Sequence, residues 1–165
     1  MVTVDLTHQV LADPEVQSRI LQTDPNDVPC GSKPTVLRQM LHDLLLFFAN
    51  TYDTVFGIDV GPPLHDPLAV AVALSNINDN LTSPLLKFDD KDGERFLVDV
   101  VTDGIHGSDP VLTGQLGRTL VQPVADPKAG GVAIPRGVDV PAFWDMIIDV
   151  LRRADAWNVS RGVKN

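Results

Sequence analysis

A single cysteine, Cys30, leaves this 165-residue chain without an internal disulfide. A chain of that size must then rely on an apolar core, and it suits a reducing compartment. Basic residues are scarce as well: 13 Lys and Arg stand against 22 Asp and Glu, a formal net charge of −9. That balance argues against nucleic acid or an anionic membrane as the main partner, because phosphate contacts need clustered Lys and Arg. It suits a cation or a neutral small molecule. No apolar run approaches the roughly 20 residues that cross a bilayer. The opening MVTVDLTHQV lacks the basic region and apolar core of a secretory leader. These absences read as a soluble, cytoplasmic protein. A phosphate-cradling glycine loop, a G-x-S-x-G elbow and a C-x-x-C pair are also missing.

What is present is a folding sequence. With 44% hydrophobic residues, residues 1–165 are expected to form one domain with a real core. VTVDL at 2–6 is β-rich and alternating, which predicts a strand at the start of the chain. LADPEVQSRILQ predicts a short helix, and TDPNDVPCGSKP a loop. From Thr35 the spacing of Leu37, Met40, Leu41, Leu44, Leu45 and Phe48 predicts a long helix, with Gly57 as its stop. A short apolar helix follows from Pro67 to about Leu74, then a polar, turn-forming segment, NINDNLTSPLLKFDDKDGE. ERFLVDVVTD, GRTLVQPVA and GGVAIPRGV read as strands. The last helix begins near Pro141, with Phe143, Trp144, Ile147, Ile148 and Leu151 on one face and an Asp149–Arg153 pair on the other. The class is α/β.

The stretch GPPLHDPLAVAVAL, residues 61–74, sets His65 and Asp66 between prolines and an apolar run. Asp before Pro is a standard helix start, with Asp66 as cap and Pro67 at the first helical position. The same pair can also form one corner of a metal-dependent site. An ionised Asp is a hard oxygen ligand for calcium or magnesium, and a neighbouring His carries a proton near neutral pH. His42-Asp43, a second such pair, would with His65 suggest a metal-dependent phosphohydrolase, although a mid-helix His is ordinarily surface. FDDKDGE fails the calcium-loop pattern because Phe88 occupies the first ligand position, so it reads as a charged turn. His8 is placed either in a crevice after the first strand or as a structural histidine.

Five stretches, VTVDLTHQ, LFFANTYDTVFG, GPPLHDPLAVAVAL, LTGQLGRTLV and AFWDMIIDVLRRAD, occur in an order and spacing that resembles the C-terminal half of the inosine/uridine-preferring nucleoside hydrolases. The resemblance implies the C-terminal part of that fold, an open mixed sheet flanked by helices without its N-terminal strands. It also implies hydrolysis of the N-glycosidic bond of a ribonucleoside to ribose and free base. By the same resemblance Asp66 is a calcium ligand, His65 the catalytic proton donor to the base, and Tyr52 a residue over the base. The family's acidic D-x-D-x-G-x-D-D cluster has no counterpart in these 165 residues. One carboxylate cannot hold an ion that takes six to eight oxygens, so the calcium site is expected to be incomplete and the chain alone weak or inactive. The alternative is a non-catalytic remnant or interaction protein that keeps the fold elements. The resemblance implies a ribonucleoside as substrate and a homo-oligomer as assembly.

Overall fold

In the computed structural model, residues 1–22, 33–77, 86–103, 115–126, 128 and 130–163 are described. Cys30 and its loop, the polar segment over 78–85 and residues 112–114 lie outside them. Among the described residues, five helices and four short strands follow one another. They are α1 (Val4–Thr7), α2 (Pro14–Leu21), α3 (Val36–Phe56), α4 (His65–Ile77), β1 (Phe88–Asp89), β2 (Phe96–Val100), β3 (Thr119–Pro123), β4 (Gly137–Val138) and α5 (Val140–Ser160).

The helix ends follow from local chemistry. Asp13 accepts the Val16 N–H and precedes Pro14 at the first helical position of α2. Thr35 accepts the Arg38 N–H at the start of α3, and Asp139 accepts the Ala142 N–H at the start of α5. Gly57 ends α3 in the left-handed conformation, φ +68°, where its N–H reaches the Asp53 carbonyl and the Ile58 N–H reaches that of Tyr52.

The strand expected over residues 2–6 is instead the helical turn α1. Alternation would have placed Val2, Val4 and Leu6 on one face, but Val4 is 60% exposed while Leu6 and Val10, four residues apart, are fully buried. No described strand lies beside this segment to pair with it. Helical winding satisfies its amides internally, with the Thr7 N–H on the Thr3 carbonyl and the His8 N–H on that of Val4.

The open mixed sheet is likewise not what the described residues form. β1 pairs antiparallel with β4, and β2 pairs antiparallel with β3 through the register Phe96–Pro123 to Val100–Thr119. The strands expected within ERFLVDVVTD, GRTLVQPVA and GGVAIPRGV are all present, but as two separate ribbons. The architecture is therefore mixed α and β, dominated by helices.

The core is built by Leu6, Val10, Ala12, Val16 and Ile20 from the first two helices and the segment joining them, Leu45 from α3, Leu64, Leu68 and Ala71 around α4, and Phe143, Trp144 and Leu151 from α5. Ile147 and Ile148 pack against it, so the expected face of α5 is the buried one, and Arg153 meets Asp149 at 3.0 Å on the other. The stripe on α3 is only half used. Leu45 is buried and Leu37 and Leu41 pack on the core, whereas Met40, Leu44 and Phe48 stay about half exposed and Phe47 more so. α4 is also less enclosed than its composition suggests: Leu68 and Ala71 are buried, Val70 and Leu74 are not.

One polar cluster is fully interior. The Arg38 guanidinium donates to Asp155 Oδ2 at 2.5 Å and to the Ile20 carbonyl at 2.9 Å, and Thr35 donates to Asp155 Oδ1 at 2.8 Å. Arg38 is 1% exposed. This cluster ties the start of α3 to the end of α2 and to α5.

Candidate active site

The segment before α4 is held by the N-terminal segment. The Leu64 N–H donates to the Val10 carbonyl, the Ala12 N–H donates to the Pro62 carbonyl, and Leu11 and Pro63 form an antiparallel bridge. Gly61 passes so close to Ala12 that a Cβ there would sit 2.2 Å from the Ala12 carbonyl oxygen. Glycine is required for this approach, and the proline pair that follows, both members buried, limits how the chain leaves it. The outcome is a fixed start for α4 at His65, one residue before the expected cap. Asp66 therefore lies in the first turn rather than at the cap, where a carboxylate still opposes the positive end of the helix dipole.

His65 is gripped on both ring nitrogens. Its Nε2 lies 2.6 Å from the Tyr52 hydroxyl, and its Nδ1 lies 2.6 Å from Thr7 Oγ1. Tyr52 comes from the penultimate turn of α3 and Thr7 from the end of α1, so three helices meet at one imidazole. His8 completes the group, its ring centroid 5.7 Å from that of His65 and 6.4 Å from that of Tyr52. Of the residues singled out in the sequence, His65, Asp66 and Tyr52 are thus brought to one place. His8 joins them through its ring contacts, at the end of a helical turn rather than a strand. Thr7 was not singled out; a threonine closing one helical turn is invisible while that turn reads as a strand.

Tyr52, His65 and Asp66 line the polar end of a groove of about 530 Å³, whose remaining walls include Leu41, Leu45, Phe48, Pro63 and Leu64. Small-molecule sites commonly have this size and an apolar lining with few polar groups. A second hollow, along the start of α3 beside Met40 and Phe47, gathers no titratable cluster of this kind.

Burial holds the His65 imidazole below its ordinary pKa; the nearby His8 pushes the same way, and the Asp66 carboxylate opposes both. The neutral ring is therefore the favoured form of the folded chain. The consequence for stability has a definite sign. This contribution is complete above the unfolded value of about 6.5 and is lost as pH falls through it toward the lower folded value. Replacing His8 with Gln removes one of the two depressing causes. A histidine-resolved NMR titration is expected to show the His65 midpoint move upward, and an unmoved midpoint would dismiss the influence of His8.

His42 stays apart from this group. Its Nδ1 is 3.6 Å from Asp43 Oδ1 and makes no hydrogen bond, and among the described residues no group of three metal-ligating side chains joins it with His65 as the phosphohydrolase arrangement requires. FDDKDGE forms the expected charged turn: Asp89 accepts the Lys91 N–H and Asp90 the Gly93 N–H. Among the described residues, no three His, Cys, Asp or Glu side chains are arranged to hold a metal ion. Asp66 is exposed and offers one carboxylate, against the six to eight oxygens calcium takes. The described residues by themselves do not fit a calcium site. No helix among them is long and apolar enough to cross a membrane.

A groove of this kind, with a histidine, a tyrosine and a carboxylate at one end, has the size and lining of a small-molecule site. Residues 1–145 match the family model described as inosine-uridine preferring nucleoside hydrolase, and the chain belongs to that family. It is 28% identical over 159 residues to a uridine nucleosidase of Saccharomyces cerevisiae, covering 94% of this chain and 40% of that protein. A probable ribonucleoside hydrolase of Dictyostelium discoideum is 30% identical over 152 residues, 92% of this chain and 37% of the relative. An inosine-uridine preferring nucleoside hydrolase of Leishmania major is 30% identical over 154 residues, with 93% and 39% covered. The chain spans about two fifths of the length of these relatives.

Proposed function

We propose that this chain supplies the base-side half of a site that hydrolyses the N-glycosidic bond of a ribonucleoside of the uridine or inosine type, giving ribose and free base. The observation that carries the reading is the 2.6 Å contact between Tyr52 and His65 at the polar end of the groove, with Asp66 adjacent. Family membership and the names of the relatives support the same chemistry.

As the C–N bond breaks, the electron pair goes to the base, and a water adds its oxygen to the sugar carbon and releases a proton to solvent. The base leaves more readily if it takes up a proton, and a positioned acid typically contributes about 10²–10⁴-fold. Tyr52 and His65 are built for this as a pair: the Tyr52 hydroxyl gives its proton to the departing base, and His65 Nε2 replaces it. Burial makes the imidazolium an eager donor, while Asp66 keeps that charged form attainable. The apolar walls would stack against the base and keep bulk water from it.

Asp66 is the residue proposed to reach calcium, which when bound holds sugar hydroxyls and the attacking water; its other ligands would come from outside the described residues. The second reading, a non-catalytic protein that keeps the fold elements, is favoured by the isolation of that one carboxylate among the described residues.

The test is a sensitive assay of free base released from uridine and inosine, comparing the chain with its His65→Ala variant. Turnover by the chain alone is expected to be low, and to fall on the order of 10²–10⁴-fold in the variant. Release that ignores the substitution would overturn the role given to His65. Robust, chelator-sensitive turnover by the unmodified chain would instead overturn the expected incompleteness of its metal site.

A further inference from the structure

We infer that Thr7 is a positioning residue that sets the tautomer of His65, holding the ring proton on Nδ1 and so turning the Nε2 lone pair toward the Tyr52 hydroxyl. The inference deepens the function proposed above and rests on it for its catalytic meaning, but not for its geometry.

A threonine hydroxyl has one proton to give and lone pairs to receive. Thr7 Oγ1 donates that proton to the Val4 carbonyl at 3.1 Å, the i−3 bond a threonine makes inside a helical turn. With its only hydrogen committed, Oγ1 is an acceptor toward His65, and the ring nitrogen facing it at 2.6 Å must carry the proton. A neutral imidazole with a proton on Nδ1 has a bare Nε2. At 2.6 Å from that nitrogen the Tyr52 hydroxyl is the donor. All three bonds then run one way, from Tyr52 through His65 and Thr7 to the Val4 carbonyl of α1.

The opposite orientation is poorer. If Thr7 donated to Nδ1, its bond to Val4 would be lost, and His65 would carry its proton on Nε2, facing the oxygen of Tyr52. The tyrosine proton would then have no partner within the group. The Val4 carbonyl would then keep only the bond from the His8 N–H. His8 offers no competing bond: it meets His65 only ring to ring, at 5.7 Å between centroids.

This bears on the chemistry in one respect. With the proton fixed on Nδ1, a second proton arriving at His65 enters at Nε2, the atom that faces Tyr52. Thr7 thus directs the mobile proton to the groove side without touching the substrate.

Long-range ¹H–¹⁵N correlation of the histidine rings reads the tautomer directly, at a pH high enough for the imidazoles to be neutral. His65 is assigned by the loss of its signals in His65→Gln. The unmodified chain is expected to show Nδ1 protonated and Nε2 bare. Thr7→Ser keeps the hydroxyl and is expected to preserve that pattern. Thr7→Val keeps the shape, removes the acceptor, and is expected to move the proton to Nε2. An unmodified chain with Nε2 protonated overturns the inference, whether or not either variant folds; so does a Thr7→Val ring indistinguishable from the parent. The spectrum does not depend on turnover. The expected tautomer in a chain whose base release ignores His65 would sink the catalytic reading alone.

Discussion

Asp155→Ala is expected to lower the melting temperature by about 10 °C, the largest effect of any single substitution away from the groove. Among the described residues Asp155 is the one anion in contact with the buried Arg38, at 2.5 Å, and it also accepts from Thr35. Removing one member of a buried pair typically costs about 3–5 kcal/mol, because the other charge stays buried without a counterion. A chain of this length loses roughly 2–4 °C per kcal/mol. The companion Arg38→Met, Asp155→Leu double variant separates the two sources of that loss. Replacing both charges with apolar groups of similar volume removes the stranded ion, so much of the stability is expected to return. Calorimetry giving Asp155→Ala a melting point within about 2 °C of the parent would show that the cluster relaxes to water on mutation.

Gly61→Ala is expected to be the second severe change, at about 3 kcal/mol, from backbone strain and overpacking together. The new Cβ would fall 2.2 Å from the Ala12 carbonyl oxygen, which is backbone and cannot swing aside. The Val10–Ala12 and Pro62–Leu64 segments would have to part, and hydrogen exchange at the Ala12 and Leu64 amides is expected to accelerate first. Gly57→Ala is the control. Gly57 also has a positive φ, +68°, but nothing lies within 4 Å of its added Cβ. Its cost is expected to be only the left-handed penalty, roughly 1–2 kcal/mol. Equal losses at the two sites would mean that conformation and not collision decides the matter.

The long helices were legible because their signals are local. Thr35 and Gly57 bracket α3, Asp139 and Pro141 start α5, and the apolar spacing between them has the helical period. His65, Asp66 and Tyr52 were legible through the family resemblance, and the structure brings them to one groove. Other parts were hidden for physical reasons. VTVDL alternates like a strand, yet it winds because the neighbour that would make it a strand is not among the described residues, whereas Leu6 and Val10 can be buried together by a turn. Arg38 and Asp155 are 117 residues apart, and no local pattern reports a partner at that range. Thr7 depended on both failures: its turn was misread, and its partner lies 58 residues away. The stripe on α3 was read correctly as apolar, but its width exceeds what the described residues cover.

The bridge between Leu11 and Pro63 also bears on the order in which this protein assembles. α3 and α5 can wind from local contacts, within microseconds for segments of their size. The histidine group cannot, because joining Ala12 to Pro62 closes a loop of about fifty residues. That closure costs about 3 kcal/mol of chain entropy before any contact within it is gained. The two long helices can therefore form before the histidine group, which waits on this closure. The first dozen residues, which add little to the helix signal, decide when the site comes into being.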